Sequence, residues 1–538
     1  MLLWTCSLFA GLWLGERALD VVWPYPLAQL QALPQSIVVT AADGTWLRVA
    51  PTPAGERVLP LAWAQCPDVL RAAVLAGEDE RFFAHAGVDW LAGLRALADN
   101  VVSGRVVSGA STLTMQVVRI VEPRPRTLWS KAVEVLRARQ LERALDKEAI
   151  ASVWLTQVPM GGTLRGFDAA ARHWFGKAAT GLDAAEAAAL VAMVPAPSAR
   201  APHRRPQLLR SRRDALLQRL HEQGAIATDV ADVARARELG MQRHGWPWLA
   251  PHGCDAALAA LVGERPAVVA TDLDLEAQLR VQRVVRDTIG LPGDGLAVVV
   301  LRRCDGRLVA VLGDRDPRAP LDLSRRPRSA GSTLKPFLYA LAQQRGAIAA
   351  ATLVDDLPRA FDDWQPANFD RRWLGRARAG DALATSSNLA AVRCLEAVGP
   401  GAFAALLRAL GLRTDERVLH LDGALGTDAV TPRQLAFAYW RFVAEPGSVG
   451  LSPASATWTL RALARLPLVA GHGRAGDVAW KSGTSSGRRD AWCVAITAEH
   501  VVVVWLGNRD GRGLADLVGV RSANRLLAAV LAVLATSG

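Results

Sequence analysis

The chain has 538 residues, of which 51% are hydrophobic and 21% are charged, and its formal net charge is +12. This length allows two or three domains with substantial cores, and the hydrophobic content excludes a disordered chain. The positive charge favours an anionic partner, such as a nucleic acid, a membrane surface or a phosphorylated lipid. The six cysteines are scattered and form no C-x-x-C pair, which argues against a zinc site or a small disulfide framework.

Lysine is scarce, because only five of the 63 Lys and Arg residues are lysines. A chain that uses arginine for nearly every solvated positive charge is expected to keep lysine where a compact ammonium or a titratable amine is needed. The alternative is codon bias that leaves a few incidental lysines. The five are Lys131, Lys147, Lys177, Lys335 and Lys481.

Residues 1–15 carry no charged side chain and are largely apolar. A membrane-spanning helix needs about 20 apolar residues, so this run is short, and it lacks the basic start of a signal peptide. We interpret residues 1–23 as most of a signal-anchor; the alternative is a buried N-terminal helix. No later stretch is long and apolar enough to span, so the rest of the chain is expected on one side of the membrane.

The first half begins with predicted strands at 36–40 and 46–49, followed by a helix over 69–76. After the helix, charged residues surround an aromatic pair, which is typical of a solvated face. Residues 108–116 are rich in hydroxyls and small side chains, which suits close approach to phosphate or sugar oxygens, although an ordinary capped helix start has the same pattern. A longer helix is predicted over 127–145.

These segments resemble, in order, the five motifs of the family 51 peptidoglycan glycosyltransferases. The matching residues are Glu78, Asp79, Phe82, His85 and Gly87, then Gly109 to Gln116, then Lys131 and Glu134, then 147–177, and last 212–217. Ala110, Ser130 and Thr156 depart from the usual motif residues, but none of these changes removes an acid–base group. The resemblance implies a mostly α, lysozyme-like glycosyltransferase domain over residues 35–220, with an apolar patch that dips into the bilayer.

The family reaction extends a glycan strand from lipid II: an acceptor hydroxyl attacks the donor's anomeric carbon with inversion, and undecaprenyl pyrophosphate leaves. The step needs a base on the hydroxyl and positive charge on the pyrophosphate. The resemblance implies that Glu78 is this base, that Lys131 faces the pyrophosphate and that Glu134 positions Lys131. Further substrate contacts are implied for Asp79, His85, Ser111, Thr112, Gln116 and Arg119. No covalent cofactor is expected; a divalent cation such as Mg²⁺ is compatible with the step, although the sequence shows no dedicated site.

Residues 221–265 mix helix with segments rich in Gly, Pro and Trp and are interpreted as a linker region. The remainder, 266–538, begins with a predicted long helix and then alternates apolar strands with helices, which predicts an α+β domain whose antiparallel sheet is covered by helices. The helix is predicted over 271–289, and the strands over 296–301, 308–312, 491–496 and 500–506.

Ser332 and Lys335 lie in a small-residue turn that runs into an apolar helix, so a helix would place both on one face. If the helix begins near Ser332, its free N–H groups favour an alkoxide and an oxyanion there and disfavour an ammonium on Lys335. Ser332 is therefore a candidate nucleophile with Lys335 as its base. The alternative for this pair alone is a capping serine and a solvated lysine.

Two further motifs follow, Ser386-Ser387-Asn388 and Lys481-Ser482-Gly483-Thr484. Together with the first they resemble the motif set of the penicillin-binding proteins and serine β-lactamases. The resemblance implies that Ser332 forms an acyl ester after Lys335 takes its proton. Ser386 and Asn388 would complete the proton relay and grip the stem peptide. Lys481 and the strand residues Gly483 and Thr484 would bind the substrate, with an oxyanion hole made by the backbone N–H groups of Ser332 and Thr484.

A glycosyltransferase followed by this domain resembles the class A, bifunctional penicillin-binding proteins, and the wording of the motifs is similar to the 1C group of that family. The resemblance covers roughly residues 35–510; members of that group usually carry a further C-terminal domain, whose role is not carried over. It implies a protein of the bacterial inner membrane, with one N-terminal anchor and catalytic domains on the periplasmic side. The implied partners are lipid II, nascent peptidoglycan and inhibitory β-lactams.

Three other functions are weighed against this one. A hydrolase, either a β-lactamase or a carboxypeptidase with an anchoring first half, is opposed by the five ordered motifs. A glycosyltransferase whose second half binds penicillin without cross-linking is opposed by the intact nucleophile set. Nucleic-acid binding receives little weight, because the arginines are dispersed and no binding module is visible.

Overall fold

The computed structural model describes residues 15–95, 111–263, 265–361, 364–413, 417–466, 468 and 478–535. Two compact units make up the chain. The first contains Met1–Val38, Val49–Pro247 and Arg265–Val268, and the second contains Val39–Arg48, Trp248–Glu264 and Val269–Gly538. Most of the predicted signal-anchor, residues 1–14, and the start of the hydroxyl-rich segment, residues 108–110, lie outside the described residues.

The first unit is mainly helical. Its helices are residues 15–22 and 90–95, Leu27–Gln31, Asp68–Glu78, Leu113–Val121, Leu128–Ala144, Lys147–Gln157, Phe167–Phe175, Ala184–Met193, Pro206–Glu222 and Thr228–Ala236. Its short sheet has the strand order Arg57–Val58, Leu164–Arg165, Pro159–Gly161. The predicted helices at 69–76 and 127–145 are therefore found within one or two residues of their expected ends.

The helix Ala184–Met193 lies at the centre of the first unit, and every one of its residues is buried. Its start is fixed by a capping box, in which Asp183 and Glu186 each accept from the other's backbone N–H at 3.0 Å. Small alanine side chains let neighbouring helices approach it closely: a Cβ added to Gly77 would lie 2.5 Å from Val191 Cγ1. This close packing fixes the C-terminal end of Asp68–Glu78.

The second unit is built on a five-stranded antiparallel sheet. The strand order is Ala479–Thr484, Asp490–Ile496, His500–Gly507, Gly295–Arg302, Leu308–Leu312. Successive residues of one strand face opposite sides, so that Val494 belongs to one core cluster while Cys493 and Ala495 belong to another. The sheet is thus buried on both faces, as an α+β domain with a covered sheet requires.

Helices cover both faces of this sheet. Leu275–Asp287 and Asn524–Leu534 pack on one face. The larger core on the other face involves Lys335–Gln344, Asn388–Val398, Pro400–Ala409, Pro432–Ala444 and Pro453–Leu463. Further elements of the unit are the helices Pro251–Ala259 and Ala379–Ala384 and two strand pairs, Leu353–Asp356 with Gly375–Arg378 and Arg328–Ser329 with Ala429–Val430. The strands Ile37–Thr40, Trp46–Ala50 and Val268–Ala270 fall at the division between the units.

The coarse architecture expected from the sequence, a helical first domain and a second domain containing a sheet, is confirmed. Among the described residues, no single helix has the length and apolarity to cross a membrane; one pair bent by 95°, Asn388–Val398 with Pro400–Ala409, meets the length and composition requirement when taken together. The N-terminal anchor and the domain limits read from the sequence stay predictions.

Candidate active sites

Glu78 is the last residue of its helix and lines a polar cleft of the first unit together with Asp79, Ser111 and Thr112. Gln116 donates from Nε2 to Glu78 Oε2 at 2.9 Å, and its own amide oxygen accepts from Trp154 Nε1 at 3.0 Å. Burial raises the pKa of Glu78, while the hydrogen bond from Gln116 opposes this. A half-buried carboxylate with a raised pKa is suited to accept a proton.

Asp79 follows Glu78 but is fully engaged. Its carboxylate lies 3.0 Å from His85 Nε2 and accepts from the Leu113 N–H at 3.0 Å. Thr112 donates to the Gly87 carbonyl at 2.7 Å and caps the helix Leu113–Val121. Asp79, His85 and Thr112 therefore hold the walls of the cleft in place, whereas one oxygen of Glu78 accepts no hydrogen bond from the described residues.

A cluster of two cations and one carboxylate joins the helix Leu128–Ala144 to the helix Leu113–Val121. Lys131 Nζ donates to Ser111 Oγ at 2.8 Å and lies 3.5 Å from Glu134. Arg119 pairs with the same carboxylate at 2.7 Å and also reaches Ser111 Oγ at 3.4 Å. Burial lowers the pKa of Lys131, with Glu134 opposing. The structure thus joins four of the predicted residues, and Ser111 connects this cluster to the Glu78 cleft.

Two departures from the motif pattern have structural roles. Ser130 lies 2.9 Å from the capping residue Thr127 at the start of its helix. Thr156 accepts from the Leu61 N–H at 3.1 Å. Both side chains hold backbone segments, and neither lines the cleft that contains Glu78.

Ser332 lies in the tight helical turn Gly331–Leu334, and the regular helix Lys335–Gln344 begins only at Lys335. Gly331 has a φ of +54°, and a Cβ there would lie 2.8 Å from the Thr484 carbonyl oxygen, so this position requires glycine. The Tyr439 hydroxyl donates to the Thr333 carbonyl at 2.7 Å and so holds the turn in position. The nucleophile candidate is therefore held rigidly, with a half-buried side chain.

Lys335 is completely buried, and its ammonium position is fixed by three acceptors. Nζ donates to the carbonyls of Ser386 and Ser387 at 2.8 and 3.1 Å and to Asn388 Oδ1 at 2.7 Å. Burial lowers the pKa of Lys335 well below its usual value, and the charge of Lys481 adds to this effect. A solvated lysine, the alternative left open by the sequence, is thereby excluded.

Lys481 approaches the same loop from the edge strand Ala479–Thr484. Its Nζ donates to Ser386 Oγ and to the Ser482 carbonyl, both at 2.8 Å. Burial lowers the pKa of Lys481 to about 7. Ser386 has a φ of +65°, which is unfavourable for a residue with a Cβ. The loop therefore holds the Ser386 side chain in position with a strained backbone.

The edge strand lies directly against the nucleophile turn. A Cβ on Gly483 would lie 2.8 Å from Thr333 Cγ2 and 2.9 Å from the Ala330 carbonyl oxygen. The Thr484 hydroxyl accepts from the Gly519 N–H at 3.0 Å and keeps its own proton to donate. All the second-domain residues selected from the sequence thus occupy one region.

Asp356 and Asn368 are functional candidates that the sequence did not indicate. Asp356 is buried and accepts from Ser387 Oγ at 2.6 Å and from Asn368 Nδ2 at 2.7 Å. They lie between two motifs, in a stretch without periodic pattern, and only contact with the Ser386–Asn388 loop distinguishes them. No cluster of three or more His, Cys, Asp or Glu side chains that could hold a metal ion occurs in the described part of the chain.

Comparison with known proteins decides the family. A transglycosylase model matches residues 47–221, and a penicillin-binding protein transpeptidase model matches residues 296–446. Penicillin-binding protein 1C of Escherichia coli is 33% identical, in an alignment that spans 96% of this chain and 70% of that protein. The chain belongs to the class A penicillin-binding proteins. Its relative penicillin-binding protein 1B of Escherichia coli is 29% identical over 89% of this chain and 64% of that protein.

The fold agrees with this membership. The crystal structure of penicillin-binding protein 1A from Haemophilus influenzae superposes with a TM-score of 0.61 at 16% identity, covering 94% of this chain and 93% of that one. The protein whose sequence is given above is therefore a bifunctional enzyme, with peptidoglycan glycosyltransferase and transpeptidase activity. The two matched regions contain the Glu78 cleft and the Ser332 turn, and Lys481 lies beyond the second matched region.

Proposed function

We propose that the Glu78 cleft polymerises lipid II and that the Ser332 site cross-links the stem peptides of the product. The observation that carries the proposal is the convergence of three sequence-distant motifs on one loop: Lys335 and Lys481 both donate to the Ser386–Asn388 segment. A solvated face or a degenerate binding module has no reason to bury two lysines there.

In the first reaction, Glu78 accepts the proton of the acceptor sugar's hydroxyl as its oxygen attacks the anomeric carbon of the donor. The bond from that carbon to the pyrophosphate breaks, and negative charge develops on the leaving group. The positive charges of Lys131 and Arg119 stabilise the leaving pyrophosphate. Glu134 pairs with both side chains and holds them in position. Asp79, His85, Thr112 and Gln116 position these groups. A divalent cation for this step stays a prediction.

In the second reaction, Ser332 Oγ attacks the carbonyl carbon of a donor stem peptide bond, and Lys335 Nζ takes the hydroxyl proton. The carbon–nitrogen bond breaks, and the leaving amine takes the proton held by Lys335 through the Ser386 hydroxyl, while Asn388 holds Lys335 in place. An acceptor amine then attacks the ester carbon and gives a proton to Lys335; the ester bond breaks, and Lys335 returns the proton to Ser332 Oγ. Lys481, Gly483 and Thr484 bind the donor, and the N–H groups of Ser332 and Thr484 stabilise the oxyanion, each by about 3–4 kcal/mol.

Residues 1–23 anchor the protein in the bacterial inner membrane in this proposal, with both domains on the periplasmic side. The helix at 15–22 joins this segment to the first unit: Glu16 pairs with Arg139 at 2.8 Å and Asp20 with Arg143 at 2.5 Å, both on the helix that carries Lys131. Leu128 and Trp129, at the start of that helix, are 92% and 76% exposed. Apolar side chains so exposed suit a lipid surface beside a lipid-linked substrate.

Incubation with labelled lipid II tests both activities together, with separate analysis of glycan chains and of cross-linked stems. We expect both products from the wild-type chain, and penicillin should abolish only the cross-links. Glycan chains whose stems are trimmed but not cross-linked would show that the Ser332 site acts as a carboxypeptidase and not as a transpeptidase. Absence of glycan chains would overturn the role of Glu78.

A further inference from the structure

We propose that Asp356 is a positioning residue of the transpeptidase site, whose buried carboxylate fixes the Ser386–Asn388 loop and supplies negative charge to Lys335 through it. The inference rests on the proposed roles of Ser332 and Lys335. It assigns a function to a group that lies outside the three motifs and that the reaction steps above do not use.

The carboxylate of Asp356 is held on both oxygens. Asp356 ends the strand Leu353–Asp356 and is only 1% exposed. Its Oδ1 accepts from Ser387 Oγ at 2.6 Å and from Asn368 Nδ2 at 2.7 Å, while Oδ2 accepts from the Leu374 N–H at 2.8 Å. All three donors are neutral groups. A buried carboxylate without a directly bonded cation is costly, which favours a role beyond folding.

Both side-chain donors to Asp356 lead directly to the groups that bind Lys335. Ser387 Oγ accepts from the Ala390 N–H at 3.0 Å and so caps the helix that begins with Asn388. Asn368 accepts on Oδ1 from the Asn388 N–H at 2.8 Å. Asn388 and the carbonyls beside it are the acceptors of the Lys335 ammonium. Asp356 is therefore linked to the proposed base by two routes, one through Ser387 and the other through Asn368 and Asn388.

The loop needs such support because of its backbone. Ser386 adopts a φ of +65°, which a residue with a Cβ adopts only when its surroundings impose it. The two routes from Asp356 hold Ser387 and Asn388, the residues that follow Ser386. Ser386 thereby contacts both lysines, because it accepts from Lys481 on Oγ and from Lys335 on its carbonyl.

The charge of Asp356 has an effect opposite to that of Lys481. Burial and the Lys481 charge lower the pKa of Lys335, and the Asp356 charge raises it. Lys481 and Asp356 are the charged groups whose effect on this pKa is resolved among the described residues. The neutral base must stay neutral at working pH, yet it must also hold a proton after taking it from Ser332. The Asp356 carboxylate helps Lys335 to retain that proton, although the two groups form no direct ion pair.

The test is the pH dependence of acylation of the full chain by a fluorescent penicillin. Asp356→Asn removes the negative charge, so the pKa of Lys335 falls and the acid limb of the acylation profile moves to lower pH. The maximal rate falls as well, by about tenfold to a hundredfold, because the loop loses its fixed geometry. Asp355→Asn is the matched control: the adjacent carboxylate is partly exposed and faces Arg376 and Arg393 at 3.5 and 3.9 Å. We expect it to change neither quantity.

Two further variants separate charge from positioning. Ser387→Ala keeps the charge and removes one route, so it should lower the maximal rate without moving the acid limb. Asp356→Glu restores the charge with altered geometry, so it should return the limb towards its wild-type position while the rate stays low. These two carry the test if Asp356→Asn fails to fold, as judged by near-ultraviolet circular dichroism.

An unmoved acid limb with a rate within twofold of wild type in Asp356→Asn would overturn the proposal. An equal shift in Asp355→Asn would overturn it too, since it would trace the effect to long-range charge. A wild-type chain that takes no penicillin label would instead refute the role of Ser332, together with this inference, and so the two failures are distinguishable.

Discussion

Lys335 and Lys481 lie in one buried region but have different neighbours. Lys335 donates to two carbonyls and an amide oxygen, and Lys481 donates to a hydroxyl and a carbonyl. Burial lowers the pKa of both, to about 7 for Lys481 and well below the usual value for Lys335. The charge of Lys481 lowers the pKa of Lys335 further, so Lys335 is the amine of the two that favours the neutral form. Near neutral pH the pair can supply a neutral base and a cation at once.

Replacing Lys335 by arginine tests this need for a neutral amine. A guanidinium stays protonated, so Lys335→Arg should reduce acylation by penicillin about a thousandfold or more. The control is Lys177→Arg, since Lys177 is partly exposed and pairs with Glu186 at 2.6 Å. Labelling kinetics with fluorescent penicillin measure both. Retention of fast labelling in Lys335→Arg would show that another group takes the proton of Ser332.

Gln116 tunes Glu78 in the opposite direction to burial. Its hydrogen bond lowers the pKa that burial raises, so Gln116→Ala should raise the pKa of Glu78 further. Polymerisation of lipid II requires the ionised carboxylate of Glu78. The acid limb of the pH–rate profile of polymerisation should therefore move to higher pH in this variant. Gln223→Ala, which removes an exposed partner of Glu80, is the control. An acid limb that does not move would mean that Glu78 is not the titrating base.

The element that sets the transpeptidase geometry is the edge strand Ala479–Thr484. Gly483 permits its contact with the nucleophile turn, and the substitution Gly483→Ala must push the two apart. We expect a loss of about 1–3 kcal/mol in unfolding free energy and a fall in acylation of about a hundredfold. Gly447→Ala is the control, because a Cβ there meets nothing within 4 Å. Thermal unfolding and penicillin labelling measure both effects, and equal behaviour of the two variants would contradict the argument.

The regular elements could be predicted because their periodicity is local. Leu275–Asp287, Gly295–Arg302 and Leu308–Leu312 match the helix and the two strands that the apolar spacing predicts. The start of the helix after Ser332 was placed too early: the structure has a tighter turn over Gly331–Leu334 and a regular helix from Lys335. A glycine with positive φ, imposed by the neighbouring strand, causes this difference.

At the scale of the whole molecule, the first unit has a core of its own, and the second has two clusters on the two faces of its sheet. Glu78 and Lys131 belong to the first unit, while Ser332, Lys335 and Lys481 belong to the second. The motif residues of each reaction could be predicted from the sequence, because each one belongs to a short motif whose positions have known roles in the family. Asp356, Asn368 and Tyr439 could not, since their roles arise only from contacts across the fold.

Separate sites predict separable activities. Glu78→Gln should abolish polymerisation of labelled lipid II and leave penicillin labelling unchanged, because Glu78 belongs to the first unit and Ser332, the residue labelled, belongs to the second. Ser332→Ala should abolish labelling and leave glycan polymerisation at the wild-type rate. Glu148→Gln, on an exposed position of the first unit, controls for the charge change. Loss of labelling in Glu78→Gln would contradict the assignment of one activity to each site.

The scarcity of lysine makes the protein a natural subject for chemical footprinting. Lys335 and Lys481 are 0% and 2% exposed, whereas the side chains of Lys131, Lys147 and Lys177 reach solvent. An amine-reactive reagent applied to the native protein should therefore leave adducts on the glycosyltransferase domain and none on the lysines of the transpeptidase domain. Adducts on either buried lysine, read by mass spectrometry, would report opening of the transpeptidase core without any engineered probe.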